Sequence, residues 1–255
     1  MNKIRFSVAV CSPLCYDNAY GAKYRQLHSP EDLAVLKQCE SLLSVKGGEY
    51  CGSLYWPLVC IPARGERSAK EYYAHFPSES PEAEAICAVM ARNYDRYEAE
   101  IWPESKAQIK AYIGTLARRF EESNFTDRAE VAIGCSLEEE AFYAVLTNSM
   151  EGGPEAIDIS PSQDVFGIER SHDDAFFFIG HEFLIYLLKS ALQGTDAFAN
   201  TDTWLRTEGL AEFYLEQLLG ERRFFRFAER QVEIYEKLTK ENPNFSAKEL
   251  YLAGL

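Results

Sequence analysis

The sequence lacks an apolar run of about 20 residues, the length that a membrane-spanning helix needs. Its most apolar stretch, residues 176–188, has a histidine and a glutamate in its middle. At the N-terminus, Lys3 and Arg5 are followed by an alternating pattern and by Pro13, without a convincing cleavage site. We therefore expect a strand there instead of a signal peptide, and no membrane as a partner.

Basic residues are also few. The chain of 255 residues has 26 Lys and Arg against 40 Asp and Glu, which gives a net charge of −14. The acidic residues are scattered among the basic ones and do not form one tail. Phosphate groups would be repelled by this charge, so we expect no binding to nucleic acid or to an anionic membrane surface.

The seven cysteines include no Cys-x-x-Cys pair. Cys11 and Cys15 are four residues apart, but Pro13 lies between them and no second Cys or His pair completes a zinc knuckle. Buried free thiols are the better interpretation. They favour a reducing compartment, and we predict a cytoplasmic protein.

The first half of the chain has the pattern of one strand followed by amphipathic helices. Apolar residues at 4, 6, 8 and 10 alternate with Arg5, Ser7 and Ala9, as in a strand with one buried face. A Ser-Pro-acidic sequence at 29–31 predicts a helix to about residue 44, ended by two glycines at 47–48. The same sequence at 80–82 predicts a helix towards Trp102, and Pro103 begins another. Residues 49–67 should be irregular or form short extended pieces.

The second half begins with short β-prone runs at 130–133, 142–147, 156–159 and 165–168. Ser171 and Asp174 resemble a capping box for the helix that follows, and three more helices are predicted near 203–219, 221–240 and 246–254. We predict a mainly helical N-terminal region with an initial strand at 1–127, and a sheet with helices at 128–255. One continuous domain is the alternative.

Two short motifs contain residues of the types that bind metals or act as catalytic bases. His181 and Glu182 lie within the apolar run, which we name the His-Glu helix. Residues 204–213, reading Trp-Leu-Arg-Thr-Glu-Gly-Leu-Ala-Glu-Phe, follow about two helix lengths later and place Glu208 and Glu212 on one face of a second helix, the glutamate helix.

Together the two motifs, within residues 178–220, resemble the metal site of a gluzincin, a zinc metallopeptidase with His-Glu-x-x-His on one helix and a glutamate ligand on a later one. The resemblance implies that His181 and Glu208 are metal ligands. It also implies that Glu182 is the catalytic base and that Glu212 supports the ligands from behind. The implied fold is α+β and zincin-like, mostly helical, with a small mixed sheet preceding the His-Glu helix and the glutamate helix.

This sequence departs from the gluzincin pattern at Ile185, which stands where the second histidine ligand should be. An aliphatic side chain cannot bind a metal, and a catalytic zinc usually takes three protein ligands. His172 is a candidate substitute, but it should lie about 13 Å along the helix axis from His181. Zinc binding and ordinary peptidase activity are therefore doubtful.

Each motif residue also has a simpler interpretation. His181 could be a core histidine with one hydrogen bond, and Glu208 and Glu212 could form a solvated acidic stripe. Glu182 could face solvent, or it could find a partner such as Arg206, Arg170 or a metal-bound water. Among the tyrosines, those at 214, 235 and 251 could include an oxyanion stabiliser.

Three functions are compatible with these patterns. The favoured one is a degenerate metallopeptidase-like protein, a pseudoenzyme that binds a peptide or protein without cleaving it. The second is a working zinc-dependent hydrolase with an atypical ligand set. The third is a helical structural or adaptor protein in which the motif arises by chance. A separation of more than about 8 Å between the side chains of His181 and Glu208 would favour the third, because no ion could bridge them.

Overall fold

The computed structural model describes residues 2–8, 27–39, 45–46, 49–50, 71, 74, 80–147, 158–160, 163–168, 171–222 and 228–254. The strands are β1 (Ile4–Val8), β2 (Val45–Lys46), β3 (Glu49–Tyr50), β4 (Phe142–Thr147), β5 (Asp158–Ser160) and β6 (Gln163–Gly167). The helices are α1 (Pro30–Gln38), α2 (Pro81–Glu100), α3 (Trp102–Glu122), α4 (Phe125–Ile133), α5 (His172–Ala191), α6 (Thr201–Leu219), α7 (Glu229–Glu241) and α8 (Ala247–Ala253).

The protein is mostly helical with a small sheet, as the sequence predicts. Strands β4 to β6 precede the His-Glu helix, α5, and the glutamate helix, α6, follows it. The zincin-like assignment of this architecture stays a prediction. None of the described helices is both long enough and apolar enough to cross a bilayer.

The chain forms two compact units that alternate along the sequence. Unit 1 comprises Met1–Arg5, Thr115–Tyr143 and His172–Leu255, and unit 2 comprises Phe6–Gly114 and Ala144–Ser171. Both motifs lie in unit 1. The predicted division after residue 127 stays a prediction.

The core of unit 1 is built around α5. Every residue from Ala175 to Leu188 except Glu182 is buried, because α5 packs against α6, α4 and α8. Aromatic rings fill the space beside it: the ring centroid of Phe183 lies 6.1 Å from that of Phe125 and 6.0 Å from that of Phe142. Rings in such edge-on pairs contribute about 0.5–1.5 kcal/mol beyond their burial. The apolar run at 176–188 is thus core on nearly all sides.

One sheet has the strand order β1-β4-β6-β5, in which β5 and β6 are antiparallel and Asp158 pairs with Asp164. Strands β2 and β3 form a separate antiparallel pair. Helix α1 is held to α2 by Asp32, whose carboxylate accepts hydrogen bonds from Arg92 at 2.5 Å and Asn93 at 2.9 Å.

Three helix starts agree with the predicted caps, and the capping box of Ser171 and Asp174 stays a prediction. The hydroxyl of Ser29 accepts from the backbone N–H of Asp32, and that of Ser80 accepts from Ala83. Ser246 and Glu249 form the predicted capping box. Helix α1 is shorter than predicted, since Cys39 is already its C-cap, and α7 begins at Glu229 instead of near 221.

One element was predicted wrongly. Residues 130–133 belong to helix α4, not to a strand. The side chains of Phe125, Ala129 and Ile133 are buried at intervals of four, so helical packing against the core decides the conformation of a short β-prone run. Val10, the paired glycines at 47–48 and most of residues 49–67 lie outside the described residues.

Candidate functional site

His181 lies in the middle of α5 with its side chain directed into the core of unit 1, and only 1% of the residue is exposed. Gly180 allows neighbouring helices to approach it closely. A Cβ atom on Gly180 would lie 3.0 Å from Cζ of Phe125 on α4 and 3.3 Å from Cδ1 of Leu215 on α6. The imidazole is therefore held in tightly packed surroundings where it needs polar partners.

Those partners are the two glutamates of α6. Glu208 and Glu212 are one helical turn apart, so both face α5, and they are 7% and 2% exposed. Helix α6 starts at a capping box formed by Asn200 and Thr203. It ends at Gly220, whose φ of 71° suits a glycine cap. These two ends fix the stretch of helix that presents both carboxylates.

The imidazole contacts both carboxylates, one through each ring nitrogen. Nε2 of His181 lies 2.8 Å from Oε2 of Glu208, at hydrogen-bond distance. Nδ1 lies 2.8 Å from Oε1 of Glu212. The second N–H is less well aligned with its acceptor, so we describe that contact as an ion pair and the first as a hydrogen bond. The structure thus brings together His181 and Glu208, the ligands that the resemblance implies, and Glu212, which should support them.

The surrounding charges favour a protonated ring. Burial by itself lowers the pKa of His181, but the contacts with Glu208 and Glu212 and the nearby charge of Glu182 outweigh burial. The pKa of His181 is therefore raised well above its ordinary value of 6.5. An imidazolium between two carboxylates donates one hydrogen bond to Glu208 and forms an ion pair with Glu212.

The donor set does not fit a catalytic zinc. His181 and Glu208 supply two ligand atoms, whereas Glu212 faces the other nitrogen of the ring. Ile185, at the position where the gluzincin pattern has its second histidine, is 7% exposed and offers no donor. Within the described residues, no group of three or more His, Cys, Asp or Glu side chains could hold a metal ion. Two ligands fall short of the three that such a site requires.

Glu182 differs from its neighbours on α5 because it is half-buried while the residues on both sides of it are buried. Its charge contributes to the raised pKa of His181, so its carboxylate is close enough to act on the ring. Arg206, one of its suggested partners, binds elsewhere: its Nη2 lies 3.0 Å from Oδ2 of Asp196. Arg170, the other suggested protein partner, lies outside the described residues.

His172, the other histidine of unit 1 in the part of the chain that the structure describes, does not join this cluster. His172 is the exposed first residue of α5, nine positions and about 13 Å of helix from His181. A role for it as a substitute ligand stays a prediction that this placement does not favour. His28 precedes α1 in unit 2, and His75 lies outside the described residues.

A second polar cluster supports α6 and was not predicted from the sequence. Asp196, in the loop before α6, accepts hydrogen bonds from Arg206 and, at 3.0 Å, from the hydroxyl of Tyr251 on α8. The guanidinium of Arg206 also lies 4.5 Å above the Tyr251 ring. Tyr235 on α7 donates to the backbone carbonyl of Arg206 at 3.1 Å. Two of the three suggested oxyanion tyrosines therefore hold helices together.

Gly209, next to Glu208, has a packing role. A Cβ atom there would lie 2.3 Å from Cβ of Gln231, so α7 can approach α6 only because position 209 is glycine. The glycine of the Glu-Gly motif could have been interpreted from the sequence as a close helix contact. The partner of Arg206 could not, because Asp196 lies in a loop with no regular spacing to it.

Comparison with known proteins identified no relative of the chain. No family model matches the chain, and neither a curated protein nor a solved structure matches it.

Proposed function

We propose that the chain is a degenerate, gluzincin-like metallopeptidase scaffold that binds a peptide or protein without ordinary zinc-dependent cleavage. The observation that carries this proposal is the contact of 2.8 Å between His181 and Glu208, with Glu212 on the second ring nitrogen. A histidine supported by one carboxylate and directed at another is the ligand arrangement that the resemblance implies.

One position accounts for the expected loss of zinc-dependent cleavage. Ile185 lies one helical turn after His181 on the same face of α5, and its buried aliphatic side chain takes the place of a ligand. Because His181 and Glu208 alone provide two donors, zinc affinity should be lower by orders of magnitude than at a site with three.

Peptide binding can persist without the metal. Strands β1 and β5 are at the two ends of the order β1-β4-β6-β5. A strand at the end of a sheet can pair with an extended peptide through backbone hydrogen bonds, independently of any catalytic residue. The net charge of −14 further favours a cationic peptide.

The test is elemental analysis of the wild type beside Ile185→His, with Ile179→His as a control. Ile179 is also buried on α5 but lies about 160° around the helix from His181. We expect about one equivalent of zinc in Ile185→His and little in the other two proteins. Equal, low zinc in all three would remove the support for a vestigial zinc site.

The wild type could instead contain about one equivalent of zinc and hydrolyse peptides. If a chelator and Glu182→Gln each stopped that hydrolysis while the fold stayed intact, the alternative of a working hydrolase with an atypical ligand set would replace our proposal.

A further inference from the structure

The polar cluster of unit 1 joins two helices through one ring. His181 belongs to α5, and both of its nitrogens face carboxylates of α6, one turn apart. The ring and the two glutamates are all buried, and Gly180 brings the same stretch of α5 against Leu215 of α6. The contacts of the ring therefore lie next to a tightly packed stretch of the two helices.

We propose that His181, Glu208 and Glu212 form a metal-independent clamp that holds α5 to α6. The clamp goes beyond the proposed function, because it assigns a present role to residues that the loss of zinc would leave without one. It needs no peptidase ancestry, since it follows from the contacts alone.

The distance between Nε2 of His181 and Oε2 of Glu208 is that of a direct hydrogen bond. Two bonds of about 2.0–2.1 Å at a tetrahedral ion would place Nε2 and the carboxylate oxygen about 3.3 Å apart. The observed 2.8 Å is the length of a charge-assisted hydrogen bond. A metal ion would have to displace the proton on Nε2 and open this contact.

Neutralising one carboxylate of the clamp weakens a buried, charge-assisted contact with the imidazolium, which costs more than losing an exposed ion pair. The variants Glu208→Gln and Glu212→Gln keep the side-chain volume and remove one charge each. Glu216→Gln is the matched control on α6, because Glu216 pairs with the more exposed Arg222.

Thermal unfolding is measured for all four proteins with a chelator and with added zinc. We expect the midpoint to fall by about 5 °C or more in each clamp variant and by about 1 °C or less in the control. The wild-type midpoint should be the same with chelator and with zinc, because no ion contributes to the folded state.

Hydrogen exchange shows which helices the clamp variants destabilise. Amide exchange in peptides from residues 172–191 and 201–219 should accelerate in the clamp variants, while exchange in residues 81–100 of unit 2 stays at the wild-type rate. If Glu208→Gln does not fold, Glu208→Asp retains the charge but withdraws the carboxylate by one methylene, and it should accelerate exchange in the same two segments.

Two results would overturn the clamp. One is wild-type stability and exchange in both clamp variants. The other is a rise of the wild-type midpoint with zinc that Glu208→Gln abolishes, which would make the pair a metal site. Neither result depends on zinc uptake by Ile185→His, so the clamp and the proposed function can fail separately.

Discussion

At the scale of single residues, the most informative group is the imidazole of His181. A buried histidine with one hydrogen bond would be neutral, and its own burial would keep it so. Two carboxylates at 2.8 Å, together with the nearby Glu182, reverse that balance and raise the pKa of His181. The raised pKa favours a protonated imidazole in the core of unit 1.

This raised pKa predicts a pH dependence of stability. Above the unfolded pKa of about 6.5, the folded state binds more protons than the unfolded state, so the free energy of unfolding falls as pH rises. The contribution of His181 is complete below that pH and is lost as pH passes through the folded pKa. We expect a slope of up to about −1.4 kcal/mol per pH unit from this group above pH 6.5.

Chemical unfolding of the wild type and of His181→Gln between pH 6 and 8 measures this slope. The two curves should converge as pH rises, because the variant lacks the titrating ring. Parallel curves would mean that His181 has the same pKa in the folded and unfolded chain.

Site residues were predictable from the sequence where regular spacing decides their direction. The interval of four between Glu208 and Glu212 places both on one face, and both do face His181. The side-chain partner of Arg206 was not predictable in this way. Asp196 reaches Arg206 from a loop, and loop positions follow from tertiary packing instead of a sequence period.

At the scale of helices, the glycines beside the site allow close packing. Gly209→Ala places a methyl group 2.3 Å from Cβ of Gln231, so α6 and α7 must separate. We expect a loss of about 1–3 kcal/mol in the free energy of unfolding. Gly114→Ala in α3 is the control, because nothing lies within 4 Å of its added Cβ.

Gly114→Ala should stabilise the protein by about 0.5–1 kcal/mol, since alanine has the higher helix propensity. Denaturant unfolding of Gly209→Ala and Gly114→Ala measures both changes in the free energy of unfolding. Equal effects of the same sign would show that packing at Gly209 does not limit the approach of α7.

Helix starts were better predicted than short strands. Ser29, Ser80 and Ser246 cap their helices through local hydrogen bonds, which the adjacent sequence specifies. The four residues at 130–133 have β-prone side chains, but burial of Ala129 and Ile133 on one face of α4 outweighs that local preference. Short segments therefore take the conformation that their packing demands.

At the scale of the whole molecule, the net charge of −14 predicts a preference for cationic partners. We expect a fluorescent ten-residue peptide of net charge +3 to bind more tightly than a matched peptide of charge −3. Raising the salt concentration from 50 to 300 mM should lower the affinity for the cationic peptide about tenfold, because screening shortens the range of the electrostatic attraction. Fluorescence anisotropy measures both effects, and equal binding of the two peptides would exclude charge as the selector.

The link from α8 to Asp196 and Arg206 has a consequence for shortened versions of the protein. Tyr251 lies more than forty residues after Glu208 in the sequence, yet its hydroxyl and ring hold the loop and the first turns of α6. Proteolytic trimming that removes α8 should therefore loosen the start of the helix that carries Glu208, without altering any residue of the motif. A fragment cut to the motif alone would be a poor surrogate for the intact chain.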